Sequence, residues 1–268
     1  MNALDKLNQR MDSAGTLLCV GLDSDVARLP DAFTHYEYPL FVFNRWIIEQ
    51  THEHVCAYKL NMGFYEVRGE RGFNSLRQTL EYLQLNHPDI LTICDGKRGD
   101  IGSSSDAYAR AIFDYFGFDA ATVSPYLGRE ALQPFLSRSD CACIVLCRTS
   151  NPGAGELQDL DVGGKPLWQA VAEKVRDEWN SAGNCMLVVG ATYPAELRRV
   201  RELVGDMPLL VPGVGAQGGD VAAVVHAGLD SAGRGLVINA SRAVIYADHP
   251  GAAARDLAAA INAHRPQN

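Results

Sequence analysis

The chain has 268 residues, 47% hydrophobic and 21% charged, which suits one large barrel or two small domains with a sizeable core. A formal net charge of −8 and a pI near 5.3 argue against a general binder of nucleic acid or anionic membrane. Any anionic ligand must therefore be caught by a local cationic site, and no apolar run approaches the length of a membrane span.

In chain order, the opening stretch MNALDKLNQRMDSAG reads as a polar amphipathic helix and not as a signal peptide. Eight short apolar runs then alternate with helical patterns. The runs predict strands at 16–22, 55–60, 90–94, 120–123, 141–146, 185–189, 209–211 and 235–238. Helices are predicted at 41–54, 74–85, 104–116, 129–136, 166–180, 194–204, 220–227 and 251–264. Strands alternating with helices imply parallel pairing through right-handed crossovers. Eight such units in this length predict a closed (β/α)8 TIM barrel: one domain over 1–268, with an additional N-terminal helix.

The seven cysteines are odd in number and lie mostly inside apolar runs, so they read as reduced thiols of a cytoplasmic protein. Cys141, Cys143 and Cys147 share a strand with no matching second pair, which favours core thiols over zinc ligands. His52 and His54 end a helix without the spacing of a metal-binding helix and read as solvated.

The strand ends carry the polar residues. They are Asp23 after the first strand, Lys59 and Asn61 at the second, and Asp95 and Lys97 at the third. Thr149-Ser150-Asn151 follows the fifth strand, Pro212-Gly213 the seventh, and Asn239-Ala-Ser241-Arg242 the eighth. Each alone reads as a solvated loop residue. Their convergence on the C-terminal rim, where barrel chemistry sits, is harder to explain by packing.

The densest stretch is Leu91-Thr-Ile-Cys-Asp95-Gly-Lys97-Arg-Gly-Asp100-Ile101. Period-two alternation puts Asp95 and Lys97 on one face. A lysine between two carboxylates is kept as an ammonium, a proton donor in a negative field. Ser103 and Asp106 follow at the spacing of a capping box and predict the start of the next helix. Lys59 lies in an otherwise buried strand and needs a partner or a task. A Schiff-base role is open to it, but pairing with the carboxylates of Asp95 and Asp100 in an alternating charge array accounts for it better. The stretch from Val211 to Asp220 contains a literal G-x-G-x-x-G, yet it follows the seventh strand with no acidic partner at the usual distance. It suits a single phosphate instead, with Gln217 and the guanidinium of Arg242.

Asp95-x-Lys97-x-x-Asp100-Ile101, preceded by Tyr58-Lys59-Leu-Asn, resembles the signature of the orotidine 5′-phosphate decarboxylase family. The likeness spans most of the chain. It takes in Gly21-Leu-Asp23, Thr149-Ser150-Asn151-Pro-Gly, Pro212-Gly-Val-Gly-Ala-Gln217 and Ala240-Ser-Arg242, in order and at strand ends. Gly99 stands where many members carry another small residue, and the 153–165 insertion is longer than in compact members; both point to the longer bacterial or archaeal branch.

The resemblance implies decarboxylation of orotidine 5′-monophosphate to uridine 5′-monophosphate, with no metal or organic cofactor. It implies that Lys97, Asp95, Lys59 and Asp100 are catalytic, with Lys97 as proton donor to C6. It further implies Asp23 on a ribose hydroxyl, Ser150 on the pyrimidine amide edge, Gln217 and Arg242 on the phosphate, and contacts from Ser104 and Pro212. Asp100 and Ile101 would reach the neighbouring subunit's site in a homodimer. The competing readings are a metal-dependent sugar-phosphate lyase on the same barrel, a silent nucleotide-phosphate binder and, more distantly, a dinucleotide oxidoreductase. The first needs an acidic metal ligand near the second-strand end, where this chain has Lys59.

Overall fold

A computed structural model describes residues 1–214 and 220–266. The eight strands are β1 Leu18–Gly21, β2 Ala57–Asn61, β3 Leu91–Arg98, β4 Ala120–Val123, β5 Ala142–Arg148, β6 Cys185–Val189, β7 Leu209–Pro212 and β8 Leu236–Ala240. They pair in sequence order, all parallel, and β8 returns to β1 to close the barrel. The register sets Asn61 of β2 beside Asp95 of β3, and Val20 of β1 beside Ala240 of β8. Helices separate the strands, as the (β/α)8 reading requires.

The strands are near-continuous apolar runs because a barrel strand is buried on both faces, against the packed interior and against the helices. The seven cysteines are free and buried. The helix Ala3–Ala14 is capped by Asn2, whose side chain accepts from the Asp5 amide. It buries Leu7 and Met11 and covers the N-terminal face: Lys6 pairs with Asp119 just before β4, and Arg10 donates to the carbonyl of Val55 just before β2.

The predicted strands and helices are all present, several with shifted ends, and the shifts matter at the C-terminal rim. β3 continues past the predicted 94 through Asp95 and Lys97, and β5 continues past 146 to Arg148. Both extensions contain a register shift, between Cys94 and Arg98 and between Leu146 and Arg148. Polar side chains hid these extensions, since an apolar run stops where the site begins. Such irregularities bend a strand and re-aim its side chains, and they are common beside functional sites.

The capping box is corrected. The helix after β3 begins at Gly102, behind Ile101, so Ser103 lies inside its first turn and no side chain caps it. That helix is α-helical to Arg110 and then makes a π turn over Ala111–Tyr115; the helix Leu167–Lys174 ends in the same way at Val175–Trp179. No described helix is long and apolar enough to cross a membrane.

Candidate active site

The rim holds a line of alternating charges. Lys59 is 4% exposed, and its Nζ lies 3.0 Å from Asp95 Oδ2 and 3.2 Å from Asp23 Oδ1. The other oxygen of Asp95, Oδ1, receives Lys97 Nζ at 2.6 Å. The order is therefore Asp23, Lys59, Asp95, Lys97, two anions and two cations, with Lys97 at the open end and its side chain 48% exposed.

Burial alone lowers the basicity of the Lys59 ammonium, but the carboxylates of Asp23 and Asp95 outweigh it and hold the group well above the usual lysine range. Burial likewise pushes Asp95 up, and the two lysines reverse that and bring it down to about 2. Each internal charge is thus stabilised by its neighbours, which is how a buried ion pair avoids a large desolvation loss.

Local structure fixes the ends of the line. Lys97 has φ 47°, the left-handed region that glycine favours, and its amide donates to Thr122 Oγ1 at 2.9 Å. Thr122 Oγ1 also lies 3.1 Å from Asp95 Oδ1, so one buried hydroxyl on β4 ties the backbone of Lys97 to its carboxylate partner. At the other end Ser241, just past β8, donates to Asp23 Oδ2 at 2.7 Å. This contact exists because residue 21 is glycine: a Cβ there would lie 1.9 Å from Ser241 Oγ.

Asp23, Lys59, Asp95 and Ser241 line a cavity of about 220 Å³. Lys59, Asp23 and Asp95 form one wall, while Pro212, Gly213 and Arg242 lie on the β7–β8 side. Arg242 is exposed and, among the described residues, has no ion pair or side-chain hydrogen bond. An unengaged guanidinium on one side of a cavity and a lysine–carboxylate line on the other suit a small ligand with an anionic group at one end. Gln217, assigned to the same anion, lies outside the described residues.

The remaining sequence candidates fall elsewhere. Asp100 does not pair with Lys59 or Lys97 within one chain; its Oδ1 accepts from the Ile101 amide at 2.8 Å. The carboxylates that Lys59 bridges are Asp23 and Asp95, a correction to the expected array, because β1 pairs directly with β2 and sets Gly21, two residues before Asp23, beside Lys59. Ile101 is 61% exposed and Ser104 is exposed, both beyond the end of β3 and outside the cavity wall. Ser150 is half-buried after β5 and packs against Gly190, where a Cβ would come within 2.8 Å of its own.

Thr122 and Ser241 are the positioning groups that sequence reasoning missed. Thr122 left a usable trace, as the polar member of the apolar run Ala120–Val123. Ser241 was visible only as part of a strand end. Among the described residues no three His, Cys, Asp or Glu side chains converge as metal ligands.

Comparison with known proteins matches residues 16–257 to the model of the Orotidine 5′-phosphate decarboxylase / HUMPS family. A protein of Cellvibrio japonicus named Orotidine 5′-phosphate decarboxylase is 49% identical over 251 residues, 93% of this chain and 91% of that one. One of the same name from Azoarcus sp. is 48% identical over 272 aligned positions, 99% of each chain. Among solved structures, the OMP decarboxylase of Leishmania donovani superposes with a TM-score of 0.88 at 40% identity, covering 98% of both chains. A lysine–carboxylate line on the rim of an eight-stranded parallel barrel, matched along almost the whole sequence, places this chain in the orotidine 5′-phosphate decarboxylase / HUMPS family.

Proposed function

We propose that this protein decarboxylates orotidine 5′-monophosphate to uridine 5′-monophosphate and CO2, the closing step of pyrimidine nucleotide synthesis. The observation that carries the reading is the line Asp23, Lys59, Asp95, Lys97: its first three members line a cavity that Arg242 also borders, and Lys97 is paired to Asp95 at the exposed end. The relatives from Cellvibrio japonicus and Azoarcus sp., 49% and 48% identical to this chain, are named for that reaction.

The chemical difficulty is the electron pair left behind. When the C6–carboxylate bond breaks, the pair stays in the ring plane, where the π system cannot delocalise it. A cation already in position stabilises that charge without reorganising solvent. In this reading the Lys97 ammonium lies beside C6 and then transfers its proton there, leaving a neutral amine that water reprotonates. Asp95 orients Lys97 and faces the substrate carboxylate, a like-charge contact relieved as CO2 departs. Lys59 completes the line at the ribose, and Asp23 accepts from a ribose hydroxyl.

Arg242 and Gln217 take the phosphate, with Pro212 beside it, and Ser150 takes the pyrimidine amide edge. Phosphate binding far from C6 then contributes to transition-state stabilisation by closing the surrounding loops. Asp100, Ile101 and Ser104 complete the neighbouring site in a cytoplasmic homodimer. Their exposed position past β3 supports that assignment. The side chains carry the reaction with no metal or organic cofactor.

Absorbance of orotidine monophosphate, incubated with the protein in EDTA, tests the proposal. Loss of the orotate chromophore is expected with wild type and not with Lys97→Ala, which keeps its affinity for uridine monophosphate. A wild-type protein that binds the nucleotide without turnover is a silent binder. One that turns over other sugar phosphates only with added divalent metal is a lyase of the other kind.

A further inference from the structure

The segment that follows β5 is braced from behind. Arg148, the last residue of β5, is only 3% exposed. Its guanidinium lies 4.2 Å from the centroid of the Tyr193 ring, donates to Gln158 Oε1 at 3.4 Å and pairs with Asp159 Oδ2 at 3.3 Å. Its Nε has no hydrogen-bond partner among the described residues. A buried guanidinium with an orphaned N–H is a poor choice for stability alone, which directs attention to what it holds.

It holds Gln158. Besides accepting from Arg148, Gln158 Oε1 accepts from the Thr149 amide at 2.9 Å, and Nε2 donates to Thr149 Oγ1 at 2.8 Å. Thr149 Oγ1 donates onward to Asn151 Oδ1 at 2.6 Å. Ser150 therefore sits between Thr149, which the Gln158 amide holds at its N–H and its hydroxyl, and Asn151, which is bonded to that hydroxyl. Its other side lies against Gly190, where a Cβ would be 3.0 Å from the Ser150 nitrogen. Past Arg148 the chain has left the sheet, so ladder bonds no longer define its path; side chains on the following short helix, Gly155–Gln158, do so instead.

We propose that Gln158, braced by Arg148, is a positioning residue that holds the Ser150 hydroxyl in register with the pyrimidine edge, and so sets selectivity for the base rather than grip on the phosphate. The inference rests on the reading of Ser150 given above. Gln158 touches no part of the ligand in this account. Its whole effect passes through Ser150.

Direct titration of the full chain with uridine monophosphate and with ribose 5-phosphate tests this, using wild type, Gln158→Met, Ser150→Ala and the double variant. Methionine keeps the shape of the half-buried glutamine and removes its hydrogen bonds. Gln158→Met is expected to weaken uridine monophosphate roughly five- to tenfold while ribose 5-phosphate stays within about twofold. In the Ser150→Ala background the same change is expected to add no further loss, as a shared pathway requires. Equal weakening of both ligands, or a full additional loss in the double variant, overturns the proposal, since either marks general loosening. Ser150→Ala weakening the nucleotide while Gln158→Met does not removes Gln158 alone. An inert Ser150→Ala removes the base contact itself, and a wild type that binds no uridine monophosphate removes the functional reading underneath.

Discussion

Lys97 turns back onto Asp95 through a left-handed backbone: with φ at 47°, its Nζ lies 2.6 Å from Asp95 Oδ1. Among the described residues it is the sole non-glycine with positive φ. A lysine in that region is disfavoured by about 1–2 kcal/mol, and such strain persists where surrounding contacts over-determine it. Here the register shift in β3 and the hydroxyl of Thr122 do so. The group assigned to the chemistry is thus fixed by its backbone as well as by its charge.

Thr122→Val tests that double restraint. The change keeps the shape of a buried residue and removes the acceptor for the Lys97 amide together with the contact to Asp95. A fall in kcat of about tenfold is expected, with the affinity for uridine monophosphate little changed, the pattern of an interaction made in the transition state. Unchanged kcat in steady-state assays shows that the ion pair alone orients Lys97.

The line of charges makes a specific demand on pH. Burial raises the Asp95 carboxyl, but Lys59 and Lys97 bring it down to about 2, below its ordinary value of 3.8. A carboxylate depressed in the folded state stabilises the fold above its unfolded pKa and loses that contribution as pH falls through the folded value. The contribution is on the order of 2 kcal/mol. It is complete above about pH 4 and disappears toward pH 2. Lys59 has the opposite sign: raised above its ordinary 10.5, its contribution is complete below that value and lost only at more alkaline pH. Urea unfolding of wild type and Asp95→Asn is expected to show a stability gap that is widest near neutrality and narrows through the acid range. A gap of constant size disconnects Asp95 from the lysines.

Arg242→Ala is expected to weaken uridine monophosphate by about 2–3 kcal/mol, the value of a charge-assisted contact to phosphate. Uridine itself, without the phosphate, is expected to bind both proteins alike. Calorimetric titration that finds the two nucleotide affinities equal sinks the phosphate assignment.

Asp100 makes its local contact with the Ile101 amide and leaves Lys59 and Lys97 to other partners. If it serves a neighbouring subunit, mixtures of Lys97→Ala and Asp100→Ala proteins regain part of the wild-type activity once subunits exchange, because hybrid dimers contain one site with both residues intact. Mixtures that stay inactive, with exchange verified by differently labelled subunits, exclude the shared site.

The sequence by itself determined the eight-unit alternation, hence the barrel, because burial on both strand faces leaves short continuous apolar runs and burial of one helix stripe leaves a period of 3.6 residues. It also determined which strand ends carry polar groups, and hence which end holds the site. Tertiary structure decided the partners. Which carboxylates bracket Lys59 depends on β1 lying beside β2, so Asp23 took the place expected of Asp100. Ser241 reaches Asp23 only because β8 closes on β1 and Gly21 leaves room. Thr122 meets Lys97 through the β3–β4 register shift, and Arg148 meets Tyr193 across the ends of β5 and β6. Spacing along a strand sets where a side chain points; register and closure, which depend on the packing of the whole barrel, set what it points at.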